Sequence, residues 1–369
     1  MLVGVDATSL LCAQPRGEGR SLFRLYAEMA RLRPDFSFVL FGQGVQAVSD
    51  LWRGIPRATV SFFDLPGYRW NTWENLGLPW HAWRSGCNVL HCASSGAPMF
   101  SVVPVVMTVH DLIPLRGDDG QSATERALFR RRLSNGMRVA SAVVAVSENT
   151  RSDLQAEFPR CGQPVEVIHW GCDLVPPGSA RPLDAEYVLA LGGGAPRKNV
   201  SGTLRAFAIA AQRHPDLKLV VLGMGRTDLS HDLFTQAETM GLAGRLVVPG
   251  FVSDSELPAW FEHAACLCYL SLYEGFGLPL LEAMSFGVPV VASSTSSIPE
   301  VVGDAGLLVD PLDAATAGAA IDRILRDAEF RRQLAGAARR RAEVFPWHIA
   351  ADRMTKTLIT AAKRQRSLS

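Results

Sequence analysis

Short, near-continuous apolar runs separated by helical patterns recur from one end of this chain to the other, and they restrict its fold more than any single motif does. In the first half the runs are Leu2–Val5, Phe38–Phe41, Val89–His91, Val105–Val109, Val143–Val146 and Val165–His169. In the second half they are Tyr187–Leu191, Leu217–Leu222, Leu246–Val248, Ala265–Leu270, Val288–Ala292 and Gly306–Val309. Strict alternation would mark strands with one wet face. Continuous runs mark strands buried on both faces, as in a parallel sheet covered by helices. Twelve such strands are too many for one sheet, so the sequence predicts an α/β protein of two doubly wound domains. The rhythm breaks at Asp173-Leu174-Val175-Pro176-Pro177-Gly178-Ser179-Ala180-Arg181-Pro182, which has linker composition. The predicted layout is a domain over 1–172, a linker over 173–182, a second domain over 183–345, and a final segment over 346–369. That segment holds a helical pattern to about Ala362 and a frayed polar end, Lys363 to Ser369.

Composition agrees with this layout and removes other classes. A chain of 369 residues suffices for two domains at about 100–200 residues each. Hydrophobic content of 48%, charged content of 20% and a net charge of +1 describe an ordinary soluble protein with no overall field for nucleic acid or membrane. Met1 runs directly into Leu2-Val3-Gly4-Val5, a strand pattern without the basic and apolar regions of a signal peptide. No stretch of about 18 apolar residues predicts a membrane span. The seven cysteines, at 12, 87, 92, 161, 172, 266 and 268, lack zinc or disulfide-framework spacing. They are expected to be buried free thiols in a reducing cytoplasm.

In open α/β sheets, ligands bind beyond the C-terminal ends of strands at the switch points, so the loops there carry the candidate chemistry. Glu274-Gly275-Phe276-Gly277-Leu278-Pro279-Leu280-Leu281-Glu282 brackets a glycine turn and a helix start with two carboxylates. Pro279 suits the first helical turn, Gly287 the position just past its end, and Pro289 a stop. A helix start offers N–H groups to an anion, and carboxylates suit sugar or ribose hydroxyls, so the segment predicts a nucleotide-sugar pocket. The plainer alternative is a stabilised helix start with no ligand. Leu191-Gly192-Gly193-Gly194-Ala195-Pro196-Arg197-Lys198-Asn199 allows close backbone approach and offers two cations to a diphosphate, or else is a solvated turn. It is neither a Walker loop nor a dinucleotide fingerprint. Gln14-Pro15-Arg16-Gly17-Glu18-Gly19-Arg20, ahead of a helix, is either a loop that reaches a phosphate or a plain connection. His110 ends a strand beside Asp111, where both a structural and a catalytic role are open. Asp118-Asp119, flanked by glycines, reads as a solvated loop before it reads as a metal-binding pair. Thr124–Leu133 is a basic helix that faces water or anionic lipid. Trp70, Trp73, Trp80 and Trp83 pack between helices or line an acceptor groove.

With these residues in view, the chain resembles the retaining glycosyltransferases of family GT4, which have the GT-B fold. The resemblance runs through nearly the whole chain. Glu274 and Glu282 are similar to the family's E-x7-E pair, and Ser271–Pro279 is similar to its S-x-x-E-G-F-G-L-P lead. Ala283–Val291, Pro299–Gly303 and Gly306–Pro311 fall where the family has such segments. Trp73-Glu74-Asn75, Leu78-Pro79, Thr108–Asp111, Val146–Thr150 and Pro196–Asn199 resemble bacterial polysaccharide mannosyltransferases of this family. Two departures are visible. Gly192-Gly193-Gly194 stands where many members carry an Arg after a Gly, which leaves Arg197 to supply the second cation; Glu18 stands where many carry an apolar residue.

The resemblance implies two Rossmann-like domains facing across a cleft, the first for an acceptor and the second for the nucleotide-sugar, with the C-terminal helix crossing back to the first. Glu274 would then hold donor-sugar hydroxyls and Glu282 the ribose. Arg197 and Lys198 would neutralise the leaving diphosphate. Backbone N–H groups around Phe276, Gly277 and Leu278 would bind phosphate, with Gly17, Gly19 and Gly193 approaching it closely. His110 would contact the donor sugar near the reacting carbon. The implied reaction moves a hexose, preferentially mannose from GDP-mannose, onto a glycan or lipid-linked glycan in polysaccharide biosynthesis. It would use no metal or cofactor beyond the donor, in the cytoplasm, with peripheral contact to an anionic membrane as an option and no nucleic-acid partner. UDP-glucose or dTDP-rhamnose donors, a nucleotide-sugar epimerase and an inactive scaffold subunit are the alternatives. A glycosidase reading of the two glutamates is set aside, because Glu282 lies on a helix that starts at a predicted phosphate site.

Overall fold

The computed structural model describes residues 1–15, 17–44, 49–64, 72–116, 119–159, 164–174, 178, 180–225 and 228–366. Arg16, Trp70, Asp118, Cys161, the Val175-Pro176-Pro177 and Ser179 portions of the proline-rich stretch, and the last three residues lie outside them. The chain divides into two compact units, Met1–Gly171 with Phe345–Ser369, and Cys172–Val344.

The first unit is built on a parallel sheet of β1 (Leu2–Asp6), β2 (Ser37–Gln43), β3 (Ala58–Phe63), β4 (Val89–Cys92), β5 (Val105–Val109), β6 (Ala142–Ala145) and β7 (Val165–Val167), in the order β3-β2-β1-β4-β5-β6-β7. Its middle strands β1, β4 and β5 are buried along nearly their whole length, as their continuous apolar runs require. The order reverses between β1 and β4, which makes that junction the switch point. β3 is absent from the sequence-level strand set. It is an edge strand of mixed exposure, so it lacks the continuous apolar run that identifies the others.

The second unit repeats the plan with β8 (Tyr187–Leu191), β9 (Lys218–Leu222), β10 (Leu246–Gly250), β11 (Cys266–Tyr269), β12 (Val290–Ser293) and β13 (Leu307–Val309). The order is β10-β9-β8-β11-β12-β13, all parallel, with the switch point between β8 and β11. Val188, Ala190, Val221, Cys266, Cys268 and Val291 on its strands pack with Leu204, Phe207, Ile321 and Ile324 on its helices in one core.

The helix Trp347–Arg366 returns to the first unit, as expected. It packs on the helix Gly17–Leu32 and on β4 and β5, burying Ala350, Ala351, Met354, Leu358 and Ala361. Thr357 donates a 2.6 Å hydrogen bond to Glu166 of β7. Gly171 leaves the room Trp347 needs, since a Cβ there would lie 2.5 Å from the indole. This helix extends through Arg366, so Lys363–Arg366 are helical rather than frayed. Among the described residues, no helix is long and apolar enough to cross a membrane.

Four further expectations are corrected. Gly17 and Gly19 lie not in a loop but in the first turn of the helix Gly17–Leu32. Gly19 is needed there for packing, because a Cβ would lie 2.2 Å from the Ser9 carbonyl oxygen. Arg132 belongs neither to a solvated face nor to a lipid-facing one. It turns inward to the buried Glu74 carboxylate at 2.8 and 2.9 Å and to the Ser94 carbonyl at 2.9 Å. Of the tryptophans, Trp73 is core and stacks on Phe63, whereas Trp80 and Trp83 are exposed rather than packed. Cys87, Cys92, Cys266 and Cys268 are buried free thiols, but Cys12 is exposed.

Candidate active site

The second unit's switch point gathers most of the candidate residues. Pro196–Lys198 form a short 3-10 turn after β8, ended by Asn199 in the left-handed region at φ +50°. Asn199 holds that strained position by donating its amide to the Leu270 carbonyl at 3.0 Å and the Pro311 carbonyl at 2.8 Å. A third tie is the Leu272 N–H, which donates to the Arg197 carbonyl at 2.7 Å. The loop after β8 is thereby fixed to the loop after β11, and the two cations of one reach the carboxylate of the other.

Lys198 Nζ lies 2.8 Å from Glu274 Oε1 and 2.9 Å from the Tyr269 hydroxyl, which itself donates to the same oxygen at 2.8 Å. Arg197 lies 3.2 Å from Oε2. The three charged side chains are 18%, 17% and 11% exposed for Lys198, Arg197 and Glu274, so their attraction is only weakly screened. Burial opposes the charge on Glu274, but Lys198 and then Arg197 outweigh it and hold its carboxyl below the usual range. Burial likewise opposes the charge on Lys198, but Tyr269 and Glu274 outweigh it and raise its pKa. Burial first, then Glu274, pushes the Tyr269 phenol up to about 12, so at neutral pH it is a donor. The cluster carries two cations and one anion, and therefore one net positive charge.

Beside it, Gly277 at φ +112° turns the chain into the helix Leu278–Ser285, with Pro279 in the first turn and Gly287 at φ +72° past the end. Phe276 is buried, and Glu282 is half-buried on the helix. The Ser297 hydroxyl clamps this turn through the carbonyls of Glu274 and Phe276, both at 2.9 Å, and Ser296 accepts the Glu274 N–H at 3.1 Å. Gly193, at φ +145°, has open space where a side chain would stand. Glycine turn, helix start and cation pair thus lie together at this end of the second sheet. Tyr269, Asn199, Ser296 and Ser297 were missed, because each acts through a bond to a residue distant in sequence or to backbone.

His110 and the glycine-rich segment Gly17–Gly19 belong to the first unit and meet at its own switch point. Glu18, at the helix start after β1, accepts a 2.7 Å bond from Ser94 after β4, and its other oxygen lies 4.0 Å from His110 Nε2. His110 Nε2 lies 2.6 Å from the Ala93 carbonyl, an acceptor only, so that nitrogen carries the proton. The ring stacks on Trp170 at 5.7 Å, and the His110 N–H donates to Ser95 at 3.1 Å. Asp111 accepts the Ile113 N–H at 2.9 Å, which starts the next helical turn.

Two Rossmann-like α/β units with a C-terminal helix returning to the first define the GT-B class of glycosyltransferase fold. Over the whole chain this fold is similar to HepE of Anabaena in complex with UDP and glucose: the TM-score is 0.74 at 21% identity, covering 97% of this chain and 99% of that one. Residues 15–175 match the family described as Glycosyltransferase Family 4, and residues 175–341 match Glycosyl transferases group 1. The chain belongs to glycosyltransferase family 4. It is 32% identical over 254 residues to the O-antigen chain mannosyltransferase B of Escherichia coli, covering 66% of this chain and 66% of that protein. It is 27% identical over 276 residues to the serotype-specific mannosyltransferase WbdA of Escherichia coli, covering 69% of this chain and 33% of that protein. The match therefore spans between a third and just under two thirds of these relatives' lengths.

Proposed function

We propose that this glycosyltransferase moves a mannosyl group from GDP-mannose to a glycan or lipid-linked glycan in polysaccharide biosynthesis, with retention of the α configuration. The observation that carries the reading is the buried Lys198–Glu274–Arg197 cluster beside a helix start at the β8/β11 switch point. Its net positive charge suits a diphosphate, its carboxylate suits sugar hydroxyls, and Glu282 on the adjoining helix suits the ribose. The mannosyl assignment is supported by the two mannosyltransferase relatives. The acceptor is assigned to the first unit, with His110 and Gly17–Gly19, and the nucleotide to the second.

The chemical task in this reading is to stabilise charge that develops on the β-phosphate as the sugar leaves. Lys198 and Arg197 supply fixed positive charge, and the N–H groups from Phe276 to Leu278 supply dipoles, so no metal or covalent nucleophile is assigned. The β-phosphate itself takes the acceptor proton during attack on the same face of the sugar. Glu274 Oε1 accepts from both Lys198 and Tyr269 and Oε2 faces Arg197 at 3.2 Å, so sugar hydroxyls are assigned to the remaining acceptor capacity of Oε2. The protein is placed in the cytoplasm, where nucleotide-sugars are available.

Calorimetry with GDP, UDP and dTDP, with and without EDTA, tests this reading. Tight GDP binding that survives EDTA is expected. Preference for UDP or dTDP would replace the donor with a glucose or rhamnose nucleotide, and absence of all nucleotide binding would overturn the enzymatic reading in favour of a scaffold.

A further inference from the structure

His110 is held at three points, all by residues of the first unit. Its ring Nε2–H donates to the Ala93 carbonyl at 2.6 Å, and its N–H donates to the Ser95 hydroxyl at 3.1 Å. Its carbonyl accepts a 3.2 Å bond from the Thr150 hydroxyl, on the helix Glu148–Glu157 after β6. Thr150 is committed to that bond. Ser147, the N-cap of the helix, accepts the Thr150 N–H at 3.0 Å and donates its own proton to Thr150 Oγ1 at 3.0 Å. The Thr150 proton is thereby left for the His110 carbonyl, which can only accept. Both side chains are fully buried, so bulk water does not compete for these bonds.

Ser95 stands at φ +51°, a left-handed position that glycine would occupy at lower cost. Its N–H donates to the Thr108 carbonyl at 3.0 Å, while its hydroxyl meets the His110 N–H. A serine kept in this conformation points to a use for the hydroxyl. Thr108 is fixed in turn from below. His91 Nε2 lies 2.7 Å from Thr108 Oγ1, and His91 Nδ1 is bonded to the Tyr26 hydroxyl, all three side chains being fully buried. Burial keeps the Tyr26 phenol protonated, so it donates to Nδ1 and leaves the Nε2 proton for Thr108. Burial first, then His110, pushes His91 down to about 3, so a neutral ring lies beneath His110. We propose that Ser95 and Thr150 are positioning residues for His110: their hydroxyls fix its N–H and its carbonyl, and so aim the ring's remaining acceptor, Nδ1, at a substrate hydroxyl. This rests on the reading that His110 meets substrate, and adds to it two residues that act only through His110.

The test combines release of GDP from GDP-mannose, with water as acceptor, and nitrogen-15 NMR of the histidines in the full chain. The variants are Ser95→Gly, Thr150→Val, Thr150→Ser and His110→Gln, the last of which also identifies the His110 signals by their loss. Glycine suits φ +51°, so Ser95→Gly should keep a thermal midpoint near wild type and report on the hydroxyl. In Ser95→Gly and Thr150→Val, kcat should fall about tenfold with KM within about twofold, and Thr150→Ser should recover the rate. The ratio of Nε2–H to Nδ1–H tautomer at His110 should fall about tenfold in the same two variants. Thr150→Val should add no further loss of rate to His110→Gln, and a further loss of the same size overturns the proposal by making Thr150 a plain support of the fold. An unchanged tautomer ratio in both variants overturns it as well, and this readout needs no donor. A wild-type rate in His110→Gln removes the reading of His110 and the proposal with it. A loss in His110→Gln with none in Ser95→Gly and Thr150→Val overturns the proposal alone.

Discussion

Replacing Lys198 by Met and Glu274 by Gln, singly and together, measures how strongly the site is held before any ligand arrives. The two charges lie 2.8 Å apart. At an effective dielectric of about 20, their attraction is about 6 kcal/mol before desolvation is charged against it. Removing one partner of a buried pair costs about 3–5 kcal/mol. For Lys198→Met the lower end applies, because Arg197 and Tyr269 remain on the carboxylate. About 3 kcal/mol in a unit of this size corresponds to a fall in Tm of about 6–12 °C. The cycle should return a coupling of about 2–3 kcal/mol. The pH dependence has a definite sign. Glu274 has a folded pKa below its ordinary 4.5, so its contribution is present above that value and is lost as pH falls through the folded pKa. Lys198 has a folded pKa above 10.5, so its contribution is full below 10.5 and is lost as pH rises through the folded value. Thermal unfolding followed by near-ultraviolet circular dichroism should therefore show the full gap between wild type and Lys198→Met from about pH 4.5 to 10.5, narrowing on the acid side. A coupling under about 0.5 kcal/mol, or a gap that does not move with pH, would refute the reasoning.

Four further outcomes are expected. Lys198→Ala should slow transfer by at least about tenfold, and turnover equal to wild type would remove Lys198 from the diphosphate. Glu282→Ala should weaken nucleotide binding about tenfold or more in calorimetry, whereas unchanged affinity would end the ribose assignment. Tyr269→Phe, which removes the hydroxyl shared by Lys198 and Glu274, should cost about 1 kcal/mol in thermal unfolding and lower kcat more than it raises KM; stability and rates like wild type would make the hydroxyl a bystander. Arg132→Ala removes the guanidinium that faces the buried Glu74 carboxylate and should destabilise by about 3 kcal/mol, while Arg131→Ala should stay within about 0.5 kcal/mol; similar values for the two would contradict the inward path of Arg132.

What was legible in the sequence follows from how local each signal is. β1, β5 and β11 are buried on both faces, so their own residues identify them, and a βα rhythm then leaves few topologies. β3 escaped because an edge strand of mixed exposure has no such run. In the site, Glu274, Gly277 and Lys198 were visible because each has a requirement within its own loop: a charge, a positive φ, a cation near a turn. Tyr269 reads locally as one more apolar strand residue, and its role exists only once β8 and β11 are side by side. Arg132 failed in the opposite direction. Among neighbouring arginines on a helix it looks like surface, and only its bond to Glu74, 58 positions earlier in the sequence, shows otherwise.

The return of the helix Trp347–Arg366 to the first unit has a consequence for the order in which the chain matures. When residues 1–171 leave the ribosome, the faces of Gly17–Leu32, β4 and β5 that this helix covers are still bare. At about 5–20 residues per second, they stay bare for roughly 9–35 seconds while the second unit is made. The second unit, whose residues are contiguous, can therefore complete its core first, and the first unit is closed only when Phe345–Ser369 follow it out of the ribosome. Chaperone demand during synthesis should fall on the first unit, and a stop codon placed just before Trp347 should leave a finished second unit joined to an unfinished first one.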